Sequence, residues 1–118
     1  MDTKPTTNQI NVSINKNSNF FVYLAKRYLE EFETIEMHAL GNAASVSVQA
    51  AENLVRNEYA VFESIVTKTI EVEGYNKKVA KKAKLFITLK RSPNFKEVMA
   101  NYYKVKEENQ KMTEKTNA

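Results

Sequence analysis

The sequence predicts a two-layer α/β domain: a mixed four-stranded sheet with two helices on one face, then a C-terminal helix. Three observations carry that prediction. Residues 20–33 and 43–57 each show apolar residues at helical spacing. A short segment of alternating polar and apolar residues precedes each of them. Residues 61–72 and 79–89 then form two long β-type runs around a short polar loop. The order is strand, helix, strand, helix, strand, strand, and the first two strands should be parallel, joined by a right-handed crossover.

Residues 1–8 are polar, include Pro5, and are expected to be a disordered tail. Residues 9–91 form the expected domain, and residues 92–118 a C-terminal helix with a polar tail. Ile10, Val12 and Ile14 alternate with polar residues, as in a short strand. A loop follows, where Ser18 or Asn19 can cap the first helix. In that helix Phe21, Leu24, Ala25, Tyr28, Leu29 and Phe32 make one apolar stripe, while Lys26, Arg27, Glu30 and Glu31 are expected to face water. Ile35, Met37 and Ala39 share a strand face before Gly41 ends the strand, and Asn42 can cap the next helix.

The second helix is apolar around most of its circumference, with Ser45, Gln49, Glu52, Asn53 and Arg56 confined to one stripe. A helix of that kind buries more than one face. One reading puts Val48, Ala51, Leu54 and Val55 against a second subunit in a twofold dimer. The other sinks the helix in its own sheet.

In the hairpin, Leu85, Ile87 and Leu89 share one face, and Lys84, Phe86 and Thr88 the other. Gly74 and Asn76 in the loop tolerate positive φ. Beyond Ser92, Pro93 and Asn94, the residues Phe95, Val98, Met99 and Tyr102 predict a helix over 95–107, with a fraying polar end.

The 118 residues carry a net charge of +4, a pI near 9.2 and no cysteine. This excludes a disulfide framework and thiolate metal sites. No apolar run reaches the roughly 18 residues of a membrane span, and the N-terminus lacks a signal-peptide core. His38 is the one histidine, so strand packing is the expectation for it and no metal site is expected. No P-loop, dinucleotide glycine pattern or nucleophile–base set is present, so neither catalysis nor a cofactor is expected.

The basic residues gather in one place. Lys77, Lys78, Lys81, Lys82, Lys84, Lys90 and Arg91 follow one another with no acid between Lys77 and Arg91. One reading is a polyanion-binding arm. The other is a lysine-rich edge that discourages strand aggregation. Tyr75 at the tip either stacks on a base or is solvated. The turn at Gly41 and Asn42 leads into a helix N-terminus, whose free amides suit an anion.

Several words on these elements resemble the eukaryotic branch of the Alba family of nucleic-acid-binding proteins. They are Ile10-Asn11-Val12-Ser13, the run from Phe20 to Tyr28, Ala39-Leu40-Gly41-Asn42-Ala43, Ala51-Glu52-Asn53-Leu54, Val66-Thr67-Lys68-Thr69-Ile70, and Lys82 to Leu89. The resemblance spans residues 9–99. It implies a dimer that binds DNA or RNA with little sequence preference, its two hairpin arms reaching around the nucleic acid. Chromatin organisation, RNA binding and translational control are family roles, in nucleus or cytoplasm. An alternative role is a structural subunit of a ribonuclease P/MRP-like particle, paired with another Alba-like chain. No membrane contact is implied.

Position by position, the family's loop of two lysines and a proline reads Lys16-Asn17-Ser18 here, so one lysine remains. Lys16 takes the place of the loop lysine whose acetylation weakens DNA binding in some members. The archaeal glycine-arginine-alanine turn reads Gly41-Asn42-Ala43, so that cation is lost. The resemblance thus places binding on Lys16, Asn17, Gly41, Asn42, Tyr75, Lys77, Lys78, Lys81, Lys82 and Lys84.

Overall fold

The computed structural model describes residues 5–117, with side chains over 5–110. The elements are β1 (Gln9–Val12), α1 (Ser18–Glu31), β2 (Thr34–Leu40), α2 (Ala43–Arg56), β3 (Ala60–Glu73), β4 (Val79–Arg91) and α3 (Phe95–Asn117). Of the expected tail, residues 1–4 lie outside the described residues. Its last residue belongs to the fold: the Asn8 side chain donates to the Thr34 carbonyl at 3.1 Å, and its carbonyl accepts from Glu36 N at 2.9 Å.

The sheet order is β1-β2-β4-β3. β1 runs parallel to β2, and β4 pairs antiparallel with β2 on one side and β3 on the other. The predicted alternation holds for Ile10 and Val12, for Ile35, Met37 and Ala39, and for Leu85, Ile87 and Leu89, which all point into the core, but not for Ile14, which lies beyond the end of β1 and is exposed. Against them pack Phe21, Val22, Ala25 and Leu29 of α1 and Ala43, Ala50, Ala51 and Leu54 of α2. A buried leucine or isoleucine of this kind contributes about 1.5–3 kcal/mol.

The α1 cap differs from expectation. Asn17, not Ser18 or Asn19, is the N-cap, and its side-chain oxygen accepts from Phe20 N at 3.1 Å. Asn42 precedes α2 with helical φ and ψ, and its side chain makes no capping bond. The positive φ of the hairpin loop falls on Lys77, at 60°, not on Gly74 or Asn76. Gly41 does adopt a left-handed φ of 57°. A Cβ placed there would meet nothing within 4 Å, so backbone conformation alone sets the glycine.

Two cations expected to be free at the surface are half-buried and engaged by other parts of the fold. Arg91 donates through Nε to the Leu29 carbonyl and, at 3.0 Å, through its terminal nitrogen to the Glu30 carbonyl. α1 has no basic residue in its last turn, so β4 supplies the cation that its C-terminal carbonyls favour. Lys26 is half-buried and not fully solvated: its ammonium sits 4.3 Å from the Tyr59 ring centre and 4.0 Å from that of Tyr102.

α3 runs past the predicted end at residue 107, as far as Asn117. Phe95 and Met99 enter the core, and the Tyr103 hydroxyl donates to the Glu30 carboxylate at 2.7 Å. That bond, with burial, pushes the Tyr103 pKa up to about 12.

Replacing Arg91 with Ala should leave two α1 carbonyls short of donors and cost about 1.5–3 kcal/mol. Urea unfolding should show this as a lower midpoint at unchanged slope.

Candidate nucleic-acid interface

β2 accompanies β4 only as far as the pairing of Leu40 with Lys84. Beyond it, from Thr69 through the loop to Ala83, β3 and β4 pair with each other alone. At about 3.3 Å per residue, that is a two-stranded arm of roughly 20 Å including its turn. The Gly41 amide donates to the Ala83 carbonyl at 2.8 Å and pins the arm at its root.

The arm carries Lys77 and Lys78 in and beside the loop, with Tyr75 fully exposed there. Lys81 lies opposite Glu71, on the helix side of the sheet, whereas Lys82 and Lys84 lie on the open side. No carboxylate comes within ion-pairing distance of Lys77, Lys78, Lys81, Lys82 or Lys84 among the described residues. Lys90 and Arg91, grouped with them by position in the sequence, are at the other end. Lys90 lies 3.8 Å from Glu33, and Arg91 is bound to α1.

One cation was not singled out from sequence. Lys68 of β3 is the direct cross-strand partner of Lys84. Both ammoniums lean on the Phe86 ring, at 5.5 and 5.1 Å from its centre. His38 meets the same ring edge-on at 4.7 Å, and its Nε2 is 3.3 Å from Glu36. Like charges placed opposite each other destabilise a sheet by a few tenths of a kcal/mol or more. Only strand register reveals this pair, because the two lysines are far apart in sequence.

The other predicted residues separate into groups. Gly41, Asn42 and Lys82 line one open cleft of about 530 Å³, with Ser13 and Ile14. Lys16 is not part of it; its ammonium lies 5.5 Å from the Phe20 ring. The Asn17 oxygen is committed to its cap. Of the predicted dimer residues, Val48 is 50% exposed and Val55 partly buried. Ala51 and Leu54, at 0% exposure, belong to the chain's own core and are unavailable to a partner. Phe62 and Ile65 of β3, at 47% and 57%, stay uncovered on the helix side. A bulge at Glu63 puts both on that side, although simple alternation separates them.

No helix among the described residues is long and apolar enough to cross a membrane. No group of three His, Cys, Asp or Glu side chains among them is placed to hold a metal.

The Alba family profile matches residues 8–72, more than half of the chain. The chain belongs to the Alba family. Members are in general non-enzymatic binders of nucleic acid, and they form dimers. An uncharacterized protein from Arabidopsis thaliana is 39% identical over 103 residues, covering 86% of this chain and 79% of that one. ALBA1 from Trypanosoma brucei superposes with a TM-score of 0.82 at 22% identity, covering 93% of this chain and 91% of its own. Alba from Thermoplasma volcanium gives 0.61 at 24%, covering 70% and 99%. At such identities the two structures speak for the fold, which is the Alba fold with α3 added to the four-stranded sheet and two helices.

Replacing Lys68 with Thr should have effects of opposite sign. The fold should gain about 0.5 kcal/mol by losing a like-charge pair, read as a raised unfolding midpoint. Affinity for nucleic acid should fall in the same protein.

Proposed function

We propose that this Alba protein is a dimer that grips the phosphate backbone of DNA or RNA with little sequence preference. Two arms, one from each subunit, close on the polymer, and the open cleft at Gly41, Asn42 and Lys82 touches it near the arm's root. Chromatin organisation, or RNA binding with translational regulation, is the setting this grip suits, in nucleus or cytoplasm.

The observation that supports it best is the cost the arm accepts. Lys68 and Lys84 face each other while four further lysines project beyond them, none held by a carboxylate. A protective edge uses lysines to discourage strand addition. It does not need them across from each other. A polyanion turns that repulsion into attraction and releases its condensed counterions on binding.

The dimer reading rests on apolar surface. Phe62 and Ile65 lie on the edge strand that the helices leave uncovered, and Val48 is half exposed on α2. A second copy of the chain, related by a twofold axis, would cover them. Pairing with a different Alba-like chain would use the same surface.

Replacing Lys77, Lys78, Lys81 and Lys82 together with Ser should weaken binding evenly across sequences. The log–log salt slope on duplex DNA should flatten by about 0.9 for each phosphate no longer neutralised. An unchanged salt titration removes the arm from the site. Phe62→Asp should give a folded monomer by sedimentation at micromolar concentration. A variant that stays dimeric places the interface elsewhere, and a wild-type chain that sediments as a monomer favours a different partner chain.

A further inference from the structure

At the end of the sheet away from the arm, a cleft of about 690 Å³ opens between α1, the turn from α2 to β3, and α3. We infer that it is a second binding site, for one nucleotide unit of a single-stranded nucleic acid: a phosphate with its unstacked base. The choice of a nucleotide rests on the nucleic-acid reading above; the chemistry of the cleft is independent of it.

Nine described residues line the cleft, and none is an Asp or Glu. Two are lysines. The Lys26 ammonium is held between the Tyr59 and Tyr102 rings at 4.3 and 4.0 Å, and that of Lys106 lies 5.9 Å from the Tyr102 centre. Neither has a carboxylate within ion-pairing distance among the described residues. Burial lowers the Lys26 pKa, so its charged form is short of solvation and gains from an arriving anion. A smaller neighbouring cleft of about 380 Å³ shares Lys26, Tyr102 and Lys106 and adds Arg27, but it also includes Glu30 and Glu31, which repel phosphate. The larger cleft differs in presenting its two ammoniums with no carboxylate beside them among its described lining residues.

The rest of the lining suits a base rather than a bare ion. Val98 and Val105 supply apolar contact beside the two tyrosine rings. Asn57 spends its amide hydrogens on Asn53, at 2.9 Å to both oxygens, and keeps its own carbonyl oxygen as an acceptor. Asn101 adds an exposed carboxamide with both donor and acceptor capacity. Aromatic faces, cations and amides around an unpaired base are how single strands are bound. A base within a duplex cannot enter such a cleft without leaving its stack.

The site is separated from the arm. Tyr59 immediately precedes β3, and the arm's loop follows that strand's 14 residues, roughly 45 Å away at 3.3 Å per residue. A single strand that occupies both places is held at two points.

The test is a titration of the full chain followed by NMR on the Asn57 and Asn101 side-chain amides. The probes are uridine and adenosine monophosphate, inorganic phosphate, and a single-stranded oligonucleotide of about ten residues. Both monophosphates should shift the two amides at millimolar concentration, and inorganic phosphate should not. If the source is a strand, the oligonucleotide should produce the same shifts at least about tenfold more tightly, because the arm holds its other end. If the source is a free nucleotide, the monophosphates alone produce them, and the strand assignment is overturned. Lys106→Ser, a change at an exposed position, should weaken binding about tenfold, the loss of one charge interaction. Unmoved amides, or equal shifts with inorganic phosphate, overturn the nucleotide site. Because monophosphate binding needs no arm, it can fail while the serine-substituted arm still loses affinity, and the reverse also holds.

Discussion

The structure turns on β4. Its lower half is clasped between β2 and β3, with Leu85, Ile87 and Leu89 sunk in the core. Its upper half has β3 alone. A two-stranded ribbon is marginal in water by itself, so the arm depends on the buried half for its direction and its existence. This division also makes the charge tolerable. Crowded lysines in the lower half would be desolvated against the core, at a cost of several kcal/mol per ion. On the exposed arm, salt screens them over about 8–10 Å. The core therefore orients a set of charges that it never touches.

Much of this was legible because burial imposes a period. β2 and β4, each with one face on the core, alternated as expected, and α1 and α2 showed their stripes. The limits of each helix were less legible. Asn17, Ser18 and Asn19 are all competent caps, and only the backbone decides which of them meets Phe20 N. Lys26 looked like a solvated residue because nothing in its neighbourhood announces Tyr59 and Tyr102, which arrive from distant segments. Arg91 looked like part of the basic run; its role at the end of α1 is a long-range contact with no local signature.

The surface patches failed to read out for a related reason. Val48, Ala51, Leu54 and Val55 are all apolar, yet only the first is well exposed, because the angle at which α2 lies on the sheet selects its buried arc. Phe62 and Ile65 are three residues apart, so strict alternation assigns them opposite faces. One unpaired residue, Glu63, brings them together. A bulge changes the parity of everything beyond it, and parity is the only register information a strand sequence contains.

Apart from the arm's projecting lysines, two sets of cations differ in what holds them. Arg56 is paired with Glu52, Lys90 with Glu33, and Arg91 with backbone carbonyls of α1. A carboxylate or a carbonyl fixes a cation and also satisfies it. Lys16, Lys26, Lys68, Lys84 and Lys106 are held instead by the faces of Phe20, Tyr59 and Tyr102, Phe86, and Tyr23 and Tyr102. An aromatic ring contributes about 0.5–1 kcal/mol at an exposed site. That is enough to bias a lysine's direction. It adds no negative charge, so the ammonium keeps its full attraction for a phosphate. Orientation without neutralisation is what a backbone-binding surface requires, and the ring partners mark where this chain has it: at the loop before α1, at the arm's root, and in the cleft beside α3.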